Sequence, residues 1–155
     1  MNKPPKASSE EAHRRMKAVR QRDTKAEMAV RRRLHAMGLR YRVDFPVLES
    51  PRRRADIAFP RLRIAIFIDG CFWHGCPIHG TSPKANAEFW KRKIEANVAR
   101  DRDTDKRLRD KGWVVLRFWE HEDPDDVANS IRRRIAEIRA GRGTRTGRTR
   151  TPDVE

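Results

Sequence analysis

LRIAIFI, residues 62–68, decides the fold. Apolar side chains stand at both parities of this run, so an extended chain here buries both faces and belongs in the middle of a sheet. Just upstream, Ala55, Ile57 and Phe59 alternate with Asp56 and Ala58, which predicts a short strand, and Pro60-Arg61 turns it into the next. Two strands so close in sequence pair as a hairpin. Downstream, Trp90, Ile94, Val98 and Leu108 recur at helical spacing, predicting a long helix from an Asn86 cap to about Lys111, with Gly112 as its stop. Trp113 to Trp119 reads as a third strand. Strand, long helix, strand is a right-handed crossover, and it makes the second and third strands parallel neighbours.

Two further helices flank this unit. Thr24-Lys25-Ala26-Glu27 fits the S/T-x-x-E capping box, Val30, Leu34 and Met37 follow at helical spacing, and Gly38 closes the helix. A shorter basic helix is expected around Glu11 to Arg20. Asp123-Pro124 opens a last helix with cap, first-turn proline and acidic first turn, and its core face is Val127, Ile131, Ile135 and Ile138. The predicted order is helix, strand, strand, long helix, strand, helix. This is an α/β fold: a small mixed sheet flanked by helices.

A chain of 155 residues suits one domain with one core. Charged residues reach 38% against 37% hydrophobic, so part of the chain is expected to stay unstructured. Residues 1–11 read as a flexible arm, 12–140 as the folded domain, and 141–155, GRGTRTGRTRTPDVE, as a disordered basic tail. The net charge of +15 points to a polyanion, with nucleic acid first; a merely solvated basic surface is the bland alternative. The N-terminus has no apolar segment after its charges, and the longest apolar run, Ile64 to Ile68, is too short for a bilayer. A cytoplasmic monomer with no membrane partner is the expectation.

The two cysteines, Cys71 and Cys76, lie close together beside histidines, which favours metal over a disulfide in a reducing compartment. Cys71, Cys76 and His79 have C-x4-C-x2-H spacing, and a closed zinc site needs a fourth ligand. Topology points to His121, because Cys71 and His121 leave the C-terminal ends of two parallel neighbouring strands. Two reduced thiols and two surface histidines remain the simpler reading.

Metal-assisted phosphodiester hydrolysis needs a carboxylate for a hard cation, a base for water, and donors for developing charge. Asp56 interrupts an apolar strand, where a charge is costly unless it is paired or binds metal; a solvated edge-strand residue fits equally well. His74, inside the cysteine loop, fits a general base or a zinc ligand displacing His121. On the long helix Asn97, Asp101 and Asp105 share the stripe of Trp90, Ile94 and Leu108, so these acids face something polar or the stripe widens to solvent. Asp101 is placed to orient His74 or to reach a metal-bound water. Glu27 serves as a capping residue or as an acid near the sheet edge. Phe72 and Trp73, beside a ligand cysteine, fit wedges between base pairs or packing under the loop; Met16 is a partner wedge or core filling.

At FIDGCFWHGCPIHG, residues 67–80, the pattern resembles the very-short-patch repair endonucleases, the T:G mismatch nicking enzymes. The resemblance spans about residues 12–121 and includes MKAVRQRDTKAE, ADIAFP, NAEFWKRKIEANVARDRD and GWVVLRFWEHE in order. It implies a restriction-endonuclease-like core with a structural zinc site, and magnesium-dependent hydrolysis on the 5′ side of the mismatched thymine in double-stranded DNA. Asp56 matches the metal-binding aspartate, His74 the catalytic histidine, Asp101 the acid grouped with them and Glu27 an acid near the site. Cys71, Cys76, His79 and His121 occupy the zinc region. Phe72, Trp73 and Met16 match the intercalating residues. Some relatives carry threonine at Ile68, where a magnesium contact in this chain uses the backbone carbonyl, and histidine at Asp69, a possible extra acid here. Others carry cysteine at His121, and the usual proline before the strand aspartate is Ala55.

The resemblance implies a magnesium-dependent mismatch nickase. Two other readings compete with it: a non-catalytic zinc DNA-binding module, and an endonuclease of the same fold that cuts unmismatched DNA.

Overall fold

A computed structural model describes residues 24–71 and 85–143. The expected arm, the basic helix around Glu11 to Arg20 and most of the basic tail lie outside those residues. Within them stand helix α1 (Lys25–Ala36), strands β1 (Arg42–Glu49), β2 (Arg52–Phe59) and β3 (Ile64–Asp69), helix α2 (Ala87–Asp110), strand β4 (Val114–Trp119) and helix α3 (Pro124–Gly143).

The sheet order is β1-β2-β3-β4. β1 with β2 and β2 with β3 are antiparallel, whereas β3 and β4 run parallel from Ile64↔Val114 to Asp69↔Trp119. The expected hairpin and the parallel crossover pair are therefore both present. β3 is central and buried almost throughout, as its two apolar faces require. Ile57, Phe59, Ile64 and Ile66 pack under Val30 and Leu34 of α1 and Val127, Ile131 and Ile135 of α3. A second cluster joins Ala55, Ala58, Ala65 and Phe67 of the sheet to Leu108 of α2. Three layers result, with small residues where α2 approaches the strands.

Four details correct the expectations. A fourth strand, β1, precedes the others; its sequence RVDFPVLE hides it, because Asp44 sits at φ 45° and Pro46 lies beside a register shift. An edge position tolerates both, since a proline there need not donate to a ladder. β2 begins at Arg52 rather than Ala55, because β1 supplies a partner for its arginines. Leu62 belongs to a short 3-10 turn, Pro60–Leu62, so β3 starts at Ile64. Asn86 takes the left-handed conformation and makes no side-chain cap; its backbone carbonyl accepts from the Trp90 N–H instead.

The other helix boundaries follow the local chemistry. Thr24 Oγ1 accepts from the Glu27 N–H at 3.2 Å, and Asp123 Oδ1 accepts from the Asp125 N–H at 2.8 Å. Gly38 and Gly112 close α1 and α2 at φ 77° and 85°, a region glycine enters without steric cost.

Candidate active site

The β2–β3 pairing runs from Phe59↔Ile64 to Ile57↔Ile66. One residue beyond it, the carboxylate of Asp56 replaces a backbone acceptor and takes the Ile68 N–H on Oδ2 at 2.7 Å. Asp56 is partly buried, and its pKa rises from 3.8 to about 7. Burial is the largest cause; the Ile68 N–H opposes it, while Glu27 and Asp69 push further up and Arg117 pulls down. The solvated edge-strand reading of Asp56 is thereby set aside: β2 lies inside the sheet, with β1 and β3 on either side.

The two acids that act on Asp56, Glu27 and Asp69, each meet an arginine, and so do Asp101 and Asp105 on α2. Glu27 is buried on the first turn of α1 and forms an ion pair with Arg31 one turn later. Its backbone N–H donates to the Thr24 hydroxyl, while its side-chain carboxylate pairs with Arg31 and lies close enough to Asp56 to raise the pKa there. Asp69, at the end of β3, receives Arg117 Nη1 at 3.0 Å on both oxygens. Asp105 on α2 receives Arg117 Nε at 2.8 and 3.0 Å, and Asp101 lies 3.6 Å from Arg117 Nη1. The polar object facing the acidic part of the α2 stripe is therefore Arg117. Burial alone disfavours the charge on Arg117, but Asp69, Asp105 and Asp101 outweigh it and raise its pKa above the ordinary value. Burial raises the pKa of Asp105, with Arg117 opposing.

Arg117 and Arg31 escaped the sequence reading. Arg117 had a usable signal: it is the one charge in the strand VVLRFW, and acids on a core-facing helix stripe require a counter-charge. Arg31 sits in the run RRR, and its signal is its place four residues after Glu27, the spacing of a helical ion pair.

The ends of β3 and β4 lie side by side. Cys71 Sγ is 3.2 Å from His121 Nδ1, and the Cys71 N–H donates to Glu120 Oε1 at 3.0 Å. This brings together two of the four expected zinc ligands, a buried thiol and an imidazole. Cys76 and His79 lie outside the described residues, as do His74, Phe72, Trp73 and Met16. Among the described residues, no three His, Cys, Asp or Glu side chains form a metal-binding group. No helix among them is long and apolar enough to cross a membrane.

A family profile described as DNA mismatch endonuclease Vsr matches residues 6–79. The chain is 43% identical over 120 residues to type II nicking enzyme V.NaeI of Lentzea aerocolonigenes, spanning 76% of this chain and 72% of that one. It is 38% identical over 139 residues to type II nicking enzyme V.HpaIIP of Haemophilus parainfluenzae, spanning 85% of this chain and 96% of the relative. With DNA mismatch endonuclease Vsr of Escherichia coli (strain K12) it shares 39% over 107 residues, 68% of this chain and 66% of the relative. The mixed sheet between helices agrees with a restriction-endonuclease-like core. The chain belongs to the Vsr family and is a DNA endonuclease, a hydrolase.

Proposed function

We propose that this endonuclease nicks one strand of duplex DNA on the 5′ side of the thymine in a T:G mismatch, with magnesium as catalytic metal and zinc as structural metal. The observation that carries this reading is Asp56: an acid forced into the sheet, carrying a pKa near 7, with a backbone N–H rather than a guanidinium on its carboxylate. Burying an unpaired carboxylate is unfavourable, and a divalent cation offsets that cost. The residues present fit such an ion. Asp56 and the backbone carbonyl of Ile68 would hold magnesium, which supplies Lewis-acid polarisation of the scissile phosphate and acidifies water when bound.

The chain's own groups do the rest. His74 receives the proton of a water that attacks phosphorus in line with the leaving oxygen, and Asp101 orients the imidazole. Glu27, held by Arg31, adds negative potential at Asp56 and so favours cation uptake there. The Cys71–His121 pair fits zinc, with Cys76 and His79 completing the set and stapling the loop that carries His74. Phe72, Trp73 and Met16 enter the base stack at the mismatch, where unstacking costs least. The names of the relatives, a mismatch endonuclease and nicking enzymes, support both the substrate and the single-strand outcome.

A nicking assay on T:G and T:A duplexes, with and without magnesium, tests this. Magnesium-dependent nicking of T:G alone is expected, with Asp56→Ala inactive but folded. Equal cleavage of both duplexes assigns the site to unmismatched DNA. Binding without any cleavage assigns the chain to the zinc-module reading.

A further inference from the structure

Arg117 is surrounded in an unusual way for a strand residue. Two carboxylates grip it from different elements, Asp69 of β3 at 3.0 Å and Asp105 of α2 at 2.8 Å. Asp101, one helical turn from Asp105, approaches at 3.6 Å and accepts from Nη2 on its backbone carbonyl at 3.5 Å. The ring of Phe67 covers the guanidinium face, with Cζ 4.2 Å from its centroid. The side chain is 20% exposed, so these partners are only weakly screened by water.

Three carboxylates converge on this partly dry position; with the guanidinium between them they form no metal-binding group, but without it they would offer a seat for a hard divalent ion. Here a guanidinium fills that seat. One nitrogen serves each carboxylate, Nη1 both oxygens of Asp69 and Nε both oxygens of Asp105, so a metal has to displace those N–H groups before it can ligate the same oxygens. Asp56 stands within electrostatic reach of both Asp69 and Arg117, yet its own carboxylate accepts a peptide N–H.

We propose that Arg117 is a positioning residue that serves as a resident cation: it withholds Asp69, Asp101 and Asp105 from divalent metal and so confines metal uptake to Asp56. The inference rests on the reading of Asp56 as the metal-binding carboxylate. It adds that Asp69, next to Asp56, and the two α2 acids beyond it are barred from ligation by a covalently attached charge. Arg117 also ties the end of β3 to α2, which keeps Asp101 at a fixed height along the site.

The test counts Mn2+ bound to the full chain, loaded first with zinc, by electron paramagnetic resonance. Asp56→Asn should lose the wild-type manganese. Arg117→Gln should bind at least one manganese more than wild type, and its nicking kcat should fall at least tenfold with KM for DNA unchanged. Arg117→Lys, which keeps the charge, should keep the wild-type count. The double variant Arg117→Gln/Asp105→Asn removes one acid together with the cation; it should also gain an ion, and it serves if the single change does not fold. An unchanged count in the glutamine variants, or a gain in Arg117→Lys, overturns the role of Arg117 while leaving Asp56 as the metal ligand. Undiminished manganese in Asp56→Asn overturns the underlying reading instead, whatever Arg117 does.

Discussion

Asp56 trades stability for a usable charge. Its folded pKa of about 7 lies above the ordinary 3.8, so the folded state holds this proton more tightly than the unfolded chain. The stabilisation is complete below about pH 4 and is lost as pH rises through 7, a change of roughly 4 kcal/mol at most by linkage. Asparagine keeps an acceptor for the Ile68 N–H and carries no charge. Asp56→Asn should therefore melt higher than wild type at pH 8.5 without metal, by several degrees, and match it near pH 4. Thermal melts across that range check this; parallel pH dependence in the two proteins would count against it. The same substitution should abolish nicking, so stability and activity move in opposite directions at one atom.

At the scale of elements, the parallel pair β3–β4 does the functional positioning. In a parallel pair both strands end at the same edge, and here that edge delivers Asp69, Cys71 and His121 within one neighbourhood. Cys71 itself stands at this edge. A metal joining Cys71 and His121 would clamp the two strand ends, so its removal should loosen the site before it loosens the sheet. Treatment with a strong zinc chelator should lower the melting temperature by about 5 °C or more, with Cys71→Ser showing the lowered value at the outset. Identical melting curves before and after chelation would remove zinc from the structural account.

For the whole molecule, the net charge of +15 sets how it meets DNA. Four acids, Glu27, Asp69, Asp101 and Asp105, are taken up by Arg31 and Arg117, while arginines such as Arg42, Arg52 and Arg61 are exposed. Binding should release counterions from several phosphates at once. About six neutralised phosphates give a log–log salt slope near −5 and a loss of roughly 10³ in affinity between 50 and 200 mM salt. Fluorescence anisotropy with a labelled duplex measures the slope, and a value shallower than about −2 would contradict an electrostatic approach.

Sequence by itself determined the elements whose signals are local. β3 shows apolar residues at both parities, α1 and α3 show caps and helical spacing, and α2 shows its glycine stop, because backbone preference and burial period act over a few neighbours. The crossover rule then places Cys71 beside His121, at the ends of two parallel strands. Local signals ran out at β1, where Asp44 and Pro46 break the pattern and only pairing with β2 makes a strand. They ran out again at Arg117, because which carboxylates it serves depends on contacts between β3, β4 and α2. Tertiary structure alone decided that Asp56 sits with a peptide N–H and a raised pKa while its acidic neighbours carry guanidinium partners. Electrostatic energy depends on distance and burial in three dimensions, and neither is written in residue order.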